Sequence, residues 1–334
     1  MKKFAMAFLI ATVIVGGLFA KGDQEKYPVR DITTVVIMAP GGGTDSVGRI
    51  LSAEMAKQLK VNINVVNVTG ASGTVGMKEV LSKPADGYTL VGIPETVCTT
   101  AVMGYWENSV DAFDYYILGG SPEVLSVSQS SSYNTLDELI AAAKKAPGSI
   151  KAAAAANGGI HQINLAALEK GSGTKFNYIP YEGSIPSQNA ALSGEVEVVV
   201  TSIAEQAPLL KAGKLKALAM LIPTEFKYAD KTVPSAFATI AGLDKYLPIP
   251  QTIGLGISKQ APQAVKDKLE AAFKVAMQGD AVKKFANDNF YLVKGLSGAE
   301  ASAYMKKLES LFAWSLADLG IAKFSPEKFG IKRP

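Results

Sequence analysis

Short β-branched runs alternate with longer stretches of helical spacing along most of this chain, and that alternation restricts the fold more than any single residue does. Ile32–Ala39 (ITTVVIMA) reads as a strand buried on both faces. Ser46–Leu59 then sets Val47, Ile50, Leu51, Met55 and Leu59 on one helical stripe. Ile63–Val68 is a second strand, Gly70–Gly76 a glycine-rich loop, Val75–Ser82 a short helix, and Tyr88–Ile93 a third strand after the Lys83–Gly87 turn. Further on, Val124–Val127, Ile150–Ala155, Phe176–Ile179, Val196–Thr201, Leu215–Met220 and Ile253–Ile257 read as strands. Helices fall between them at Thr135–Lys145, Ile160–Lys170, after Ser184 and near Glu205–Lys211. Long helices follow Pro262 and cover Ser302–Leu316.

Such alternation predicts parallel sheets with helices on both faces, an α/β class. The strands are too many for one small sheet, and 334 residues suit two lobes. The unit of strand, glycine turn and helix at 32–59 recurs at 150–170, so the two are read as equivalent positions in two lobes.

The glycine turns carry the chemistry. Pro40-Gly41-Gly42-Gly43-Thr44-Asp45 stands between a strand and a helix. Glycines let the backbone approach a ligand without a Cβ, and the helix end offers free N–H groups with positive partial charge. This is a candidate anion site, with Thr44 or Asp45 as the helix cap; a plain turn with a good cap is the alternative. Asn157-Gly158-Gly159 has the same setting before the helix that carries His161, at the carboxyl end of a strand, where open α/β sheets hold ligands. His161 is the only histidine, with a capping or core role as open to it as ligand contact. Ser72 and Gly73, in a third glycine turn, are read as a second wall. Tyr181 is placed to reach the cleft from the other lobe, and Thr96 and Ser202 to donate hydroxyl hydrogen bonds from strand ends.

Enzyme signatures are missing from the sequence. Ser46 takes the last glycine position of a dinucleotide fingerprint, and no Gly-Lys-Ser/Thr, G-x-S-x-G, CxxC or HExxH motif is present. One His and one Cys make nucleophile–base pairs hard to assemble, and no metal site or cofactor is expected. Cys98 has no partner for an intrachain disulfide and reads as a buried small residue.

The first twenty residues read as a signal peptide: Lys2-Lys3, an apolar stretch from Phe4 to Ala20, then the polar run from Lys21. An uncleaved anchor is the alternative. Without Lys2 and Lys3 the balance is 32 basic to 30 acidic residues, with no long basic run. That argues against nucleic acid as the main partner.

Together these residues resemble the substrate-binding proteins of tripartite tricarboxylate transporters, the Tct/Bug type. The resemblance runs from Tyr27-Pro28 through Ala39–Asp45, Asn67, Gly70–Gly73 and Pro84–Leu90. It continues through Pro147-Gly148, His161, Pro180–Gly183 and Gly213–Ala219. It implies a two-lobed type II periplasmic-binding fold, with each lobe a mostly parallel sheet flanked by helices. The lobes are expected at 27–121 with 256–334, and at 122–255. It further implies that backbone groups of Gly41–Asp45 and Asn157–Gly159 grip a ligand carboxylate, from a di- or tricarboxylate, an acidic amino acid or an aromatic acid. The implied partners are a large and a small membrane subunit, with the receptor itself an exported, extracytoplasmic monomer. Glu182 stands where many relatives carry Lys or Arg, and at the ligand it would repel a second carboxylate or favour an amino group. A ligand-binding subunit of a signalling system, or an α/β enzyme acting on a small acid, are the other readings open to the sequence.

Overall fold

A computed structural model describes residues 27–334; the expected signal peptide lies outside the described residues. In chain order, the first unit is β1 (Ile32–Val36), α1 (Gly43–Leu59), β2 (Ile63–Asn67), α2 (Thr74–Ser82), β3 (Thr89–Pro94) and β4 (Phe113–Gly120). The second runs β5 (Glu123–Ser128), α3 (Leu136–Lys145), β6 (Lys151–Ala155), α4 (Ile160–Ser172), β7 (Asn177–Tyr181), α5 (Ser184–Ser193), β8 (Val198–Ser202), α6 (Ile203–Lys211) and β9 (Leu215–Met220). A small hairpin, β10 (Phe226–Tyr228) with β11 (Lys231–Val233), and the short α7 (Ala236–Thr239) follow. The chain then returns through β12 (Ile253–Ser258), α8 (Gln263–Gln278), α9 (Asp280–Asp288), β13 (Leu292–Ser297) and α10 (Gly298–Asp318).

These strands form two main sheets, ordered β13-β4-β12-β3-β1-β2 and β7-β6-β8-β5-β9. The first is built from both ends of the chain and the second from its middle, which is the two-lobed α/β arrangement. Each sheet is mixed rather than mostly parallel. Parallel pairing holds for β1 with β2 and β3, and for β6 with β7 and β8. The strands that bring the chain from one sheet to the other, β4, β5 and β12, pair antiparallel to their neighbours, as do the edge strands β9 and β13. The reason is geometric: a strand entering from the opposite lobe runs against the βαβ units already there. Because all of β12 lies in the first sheet, we place the return crossing just before Ile253, slightly ahead of the expected 256.

Local sequence accounts for most element ends. Thr135 and Glu138 form a reciprocal capping box at α3, and Ser202 with Glu205 does the same at α6. Gly173 and Gly194 close α4 and α5 in the left-handed region, where a side chain would be strained. Alternation along β3 sends Leu90 to one face of its sheet and Val91 and Ile93 to the other. On the Leu90 face, Val47, Leu51 and Met55 of α1 meet Val265, Leu269 and Phe273 of α8. On the other, Met77 and Val80 of α2 join Met305, Leu308 and Phe312 of α10. Complete burial of such side chains contributes roughly 1.5–3 kcal/mol each. No helix of the described residues is long and apolar enough to cross a membrane.

Candidate functional site

Both sheets direct the carboxyl ends of their parallel strands to one interlobe cavity. Three helices begin at its wall: α1 at Gly43 and Thr44, α4 at Ile160 and His161, and α5 at Ser184. The first N–H groups of a helix have no intrahelical acceptor, and each N-terminus carries about half a positive charge. Glu95 and Thr96 of the 3-10 turn after β3, Glu205 of α6, and Gln251 on the return crossing complete the polar wall.

The lobes touch around this cavity. Ser72 Oγ donates to the Asn157 carbonyl at 2.9 Å, and Asn157 Nδ2 to the Tyr105 hydroxyl at 2.7 Å. The Ala39 amide donates to the Glu182 carbonyl at 3.2 Å, and the Gly43 amide to Glu205 Oε1 at 3.1 Å. This is a closed arrangement.

Against the expectation of free glycine amides, those of Gly41, Gly43, Gly158 and Gly159 are already bonded within the protein. Gly41 N–H donates to Asp45 Oδ2 (2.9 Å), Gly158 N–H to Gln162 Oε1 (2.6 Å) and Gly159 N–H to the Ala156 carbonyl (3.0 Å). Gly43 N–H is taken by Glu205, whose carboxylate also accepts from Ser184 Oγ (2.6 Å) and from Ser202 N–H and Oγ (2.9 and 2.8 Å). A carboxylate of the protein's own therefore sits at the N-terminus of α1. A Cβ on Gly43 would come within 2.8 Å of Glu205 Oε1, so the absent side chain is what admits that contact.

Gly42, Gly43, Thr44, Thr96 and Gly159 line the cavity as read from the sequence. The remaining candidates stand back from it. Asp45 is bonded to Gly41, Arg49 and Asn67. Burial alone would raise its pKa, but these bonds hold it below the usual carboxylate range. Ser72 and Asn157 serve the interlobe contacts above. Gly73 and Gly158 press on Ile37 and Met103, with no room for a side chain. Tyr181 turns away to Glu195 (2.9 Å), Ser202 is committed to Glu205, and Glu182 is exposed outside the cavity lining.

Sequence reading missed Glu95, Ser184, Glu205 and Gln251, and left His161 undecided. Glu205 had a signal, because Ser202 three residues ahead of it is a capping-box spacing. Glu95 had none. His161 lies between two carboxylates, with Nδ1 2.7 Å from Glu123 and Nε2 3.6 Å from Glu205. Burial works against its charge, but Glu123 and Glu205 outweigh burial and push its pKa up to about 10. Burial also pushes Glu95 up to about 7, against the Thr252 amide that donates to its carboxylate at 2.9 Å.

A family model described as "Tripartite tricarboxylate transporter family receptor" matches residues 47–301. The chain belongs to this receptor family. A Cupriavidus necator relative, the UPF0065 protein in the gbd 5' region, is 28% identical over 326 residues, covering 95% of this chain and 96% of that one. MatC from Rhodopseudomonas palustris, solved with bound malate, is 26% identical with a TM-score of 0.75 over 88% of this chain and 98% of its own. A TctC solute-binding protein from Polaromonas is 27% identical with a TM-score of 0.61, covering 87% of this chain and 99% of its own. The family is one of substrate-binding receptors, not of enzymes, and its lobed α/β fold is the one found here.

Proposed function

We propose that this protein is an exported, extracytoplasmic receptor that captures a small carboxylate between its lobes and delivers it to a tripartite tricarboxylate-type membrane transporter. The observation that carries this reading is the convergence of the α1, α4 and α5 N-termini on one interlobe cavity. Glu205 shows what such a site accepts: a carboxylate bonded to the Gly43 amide and to a neighbouring hydroxyl. A ligand carboxylate takes the first-turn amides that remain, at Thr44 and at Ile160 and His161. Gly42, Gly159 and Gly183, which also line the cavity, let it come close to the backbone. The malate bound by MatC supports the same ligand chemistry.

Closure follows from the position of these groups on both lobes. A ligand that touches α1 on one side and α4 or α5 on the other has its full set of contacts only when the lobes meet, so binding favours the closed state. A thermal-shift screen of small organic acids against matched alcohols and sugars tests the assignment. Acids are expected to raise the melting temperature while the neutral analogues leave it unchanged. Stabilisation led by compounds without a carboxylate would overturn it.

A further inference from the structure

The polar atoms of the cavity wall that stay unsatisfied identify the other end of the ligand. Glu95 is buried to 3% exposure, and its Oε2 accepts from the Thr252 amide at 2.9 Å. Among the described residues, no side chain donates to this carboxylate, which faces the cavity. Beside it, Thr96 is also 3% exposed and lines the same cavity, and its hydroxyl has no partner among the described residues. Buried polar atoms are nearly always bonded, so the orphaned Thr96 hydroxyl marks a place for a polar ligand group, and the neighbouring Glu95 carboxylate favours one that donates. Glu205 does not compete for this role, since Gly43, Ser184 and Ser202 satisfy both of its oxygens.

Charge decides which donor. Glu95 and Glu205 line the cavity, while His161 is the only basic side chain there and is held between Glu123 and Glu205. No Lys or Arg lines it. A ligand carboxylate adds negative charge at one end of the cleft, and at the other end burial already works against the ionisation of Glu95. A cationic nitrogen at that end offsets the excess and gives Glu95 a charged donor.

We propose that Glu95 and Thr96 form a subsite for a protonated nitrogen, so that the preferred ligand is a small zwitterion rather than a dicarboxylate. This assigns the second end of the ligand, on the reading that the first end is a carboxylate.

Matched ligands separate the two ends. γ-Aminobutyrate, glutarate and butyrate share a chain and differ at one terminus, and shorter and longer homologues and the α-amino acids extend the set. Titration calorimetry on the whole protein is expected to rank the amino acid at least about tenfold above its dicarboxylate partner. Glu95→Gln is expected to erase most of that preference, read as the ratio of the two ligands' affinities within the same variant. Thr96→Val, nearly isosteric, is expected to reduce the preference by about threefold or more and keeps the test informative if Glu95→Gln folds poorly. A dicarboxylate that outranks its amino partner, or a neutral half-amide such as glutaramate that equals it, would refute the nitrogen subsite. So would a preference that survives in both variants. Butyrate-type acids binding without any gain from the amine would sink this subsite and leave the carboxylate reading intact. Propylamine binding as tightly as γ-aminobutyrate would do the reverse.

Discussion

At the scale of single residues, His161 has the most definite chemistry. Set between Glu123 and Glu205, it is an imidazolium that joins the start of β5 to the start of α6, and through Glu205 to α1 of the other lobe. Between the unfolded value near 6.5 and the folded value near 10, the folded protein keeps a proton that the unfolded chain has released. Stability from this group is therefore complete below the lower value and is lost as pH rises through the window. Urea unfolding of the protein without ligand is expected to show a slope approaching about 1.4 kcal/mol per pH unit there, most of it removed in His161→Gln. As the chain's only histidine, its imidazole resonances report the same thing without ambiguity. Titration of that signal near 6.5 would mean the three-residue network does not form in solution. The sequence could show Gly43 and Gly159 in glycine turns at strand ends, and both line the interlobe cavity. It could not show that Glu205 would fill the amide at Gly43, since that contact links residues far apart in the chain and depends on how the lobes meet.

At the scale of elements, the βαβ units and the crossing strands β5 and β12 were legible, while β4 and β13 were not. β1, β2 and β3 each alternate with a helix or turn, and a local pattern suffices to find them. β4 and β13 have no such neighbourhood. They are held by antiparallel pairing with each other and, for β4, with the distant β12, across bulges at Ile253/Gly254 and Val293/Leu296. Pro122 and the glycines of this region disguise them further, yet the glycines are what allow the strands to lie together. A Cβ on Gly120 would overlap the backbone carbonyl of Gln251, and one on Gly119 the backbone of Leu292. Gly120→Ala is expected to lower stability by about 2–4 kcal/mol, because the obstacle is main chain and not a movable side chain. Denaturant melts of the variant check this, and a change within about 0.5 kcal/mol would show that the crossing is looser than described.

For the whole molecule, two sheets assembled from an interrupted and an inserted segment bring three helix N-termini to one cavity. The sequence revealed the doubled strand–glycine–helix unit and hence two lobes. The mixed order of the sheets and the acidic side of the cavity came only with the tertiary arrangement, because both arise from residues on the crossings or on helices after other strands. The same arrangement explains why Glu182 lost its expected importance. Its backbone carbonyl bridges to Ala39 while the residue itself is exposed, and the acids that line the cavity are Glu95 and Glu205.

The most direct measurement is a crystal structure of the protein with the acid that stabilises it most in a thermal screen. The ligand carboxylate should lie in the interlobe cavity within about 3.2 Å of first-turn amides of α1 or α4, with contacts to both lobes. Density for the acid on an outer surface, or in a cleft touching one lobe alone, would contradict the assignment of this cavity as the binding site.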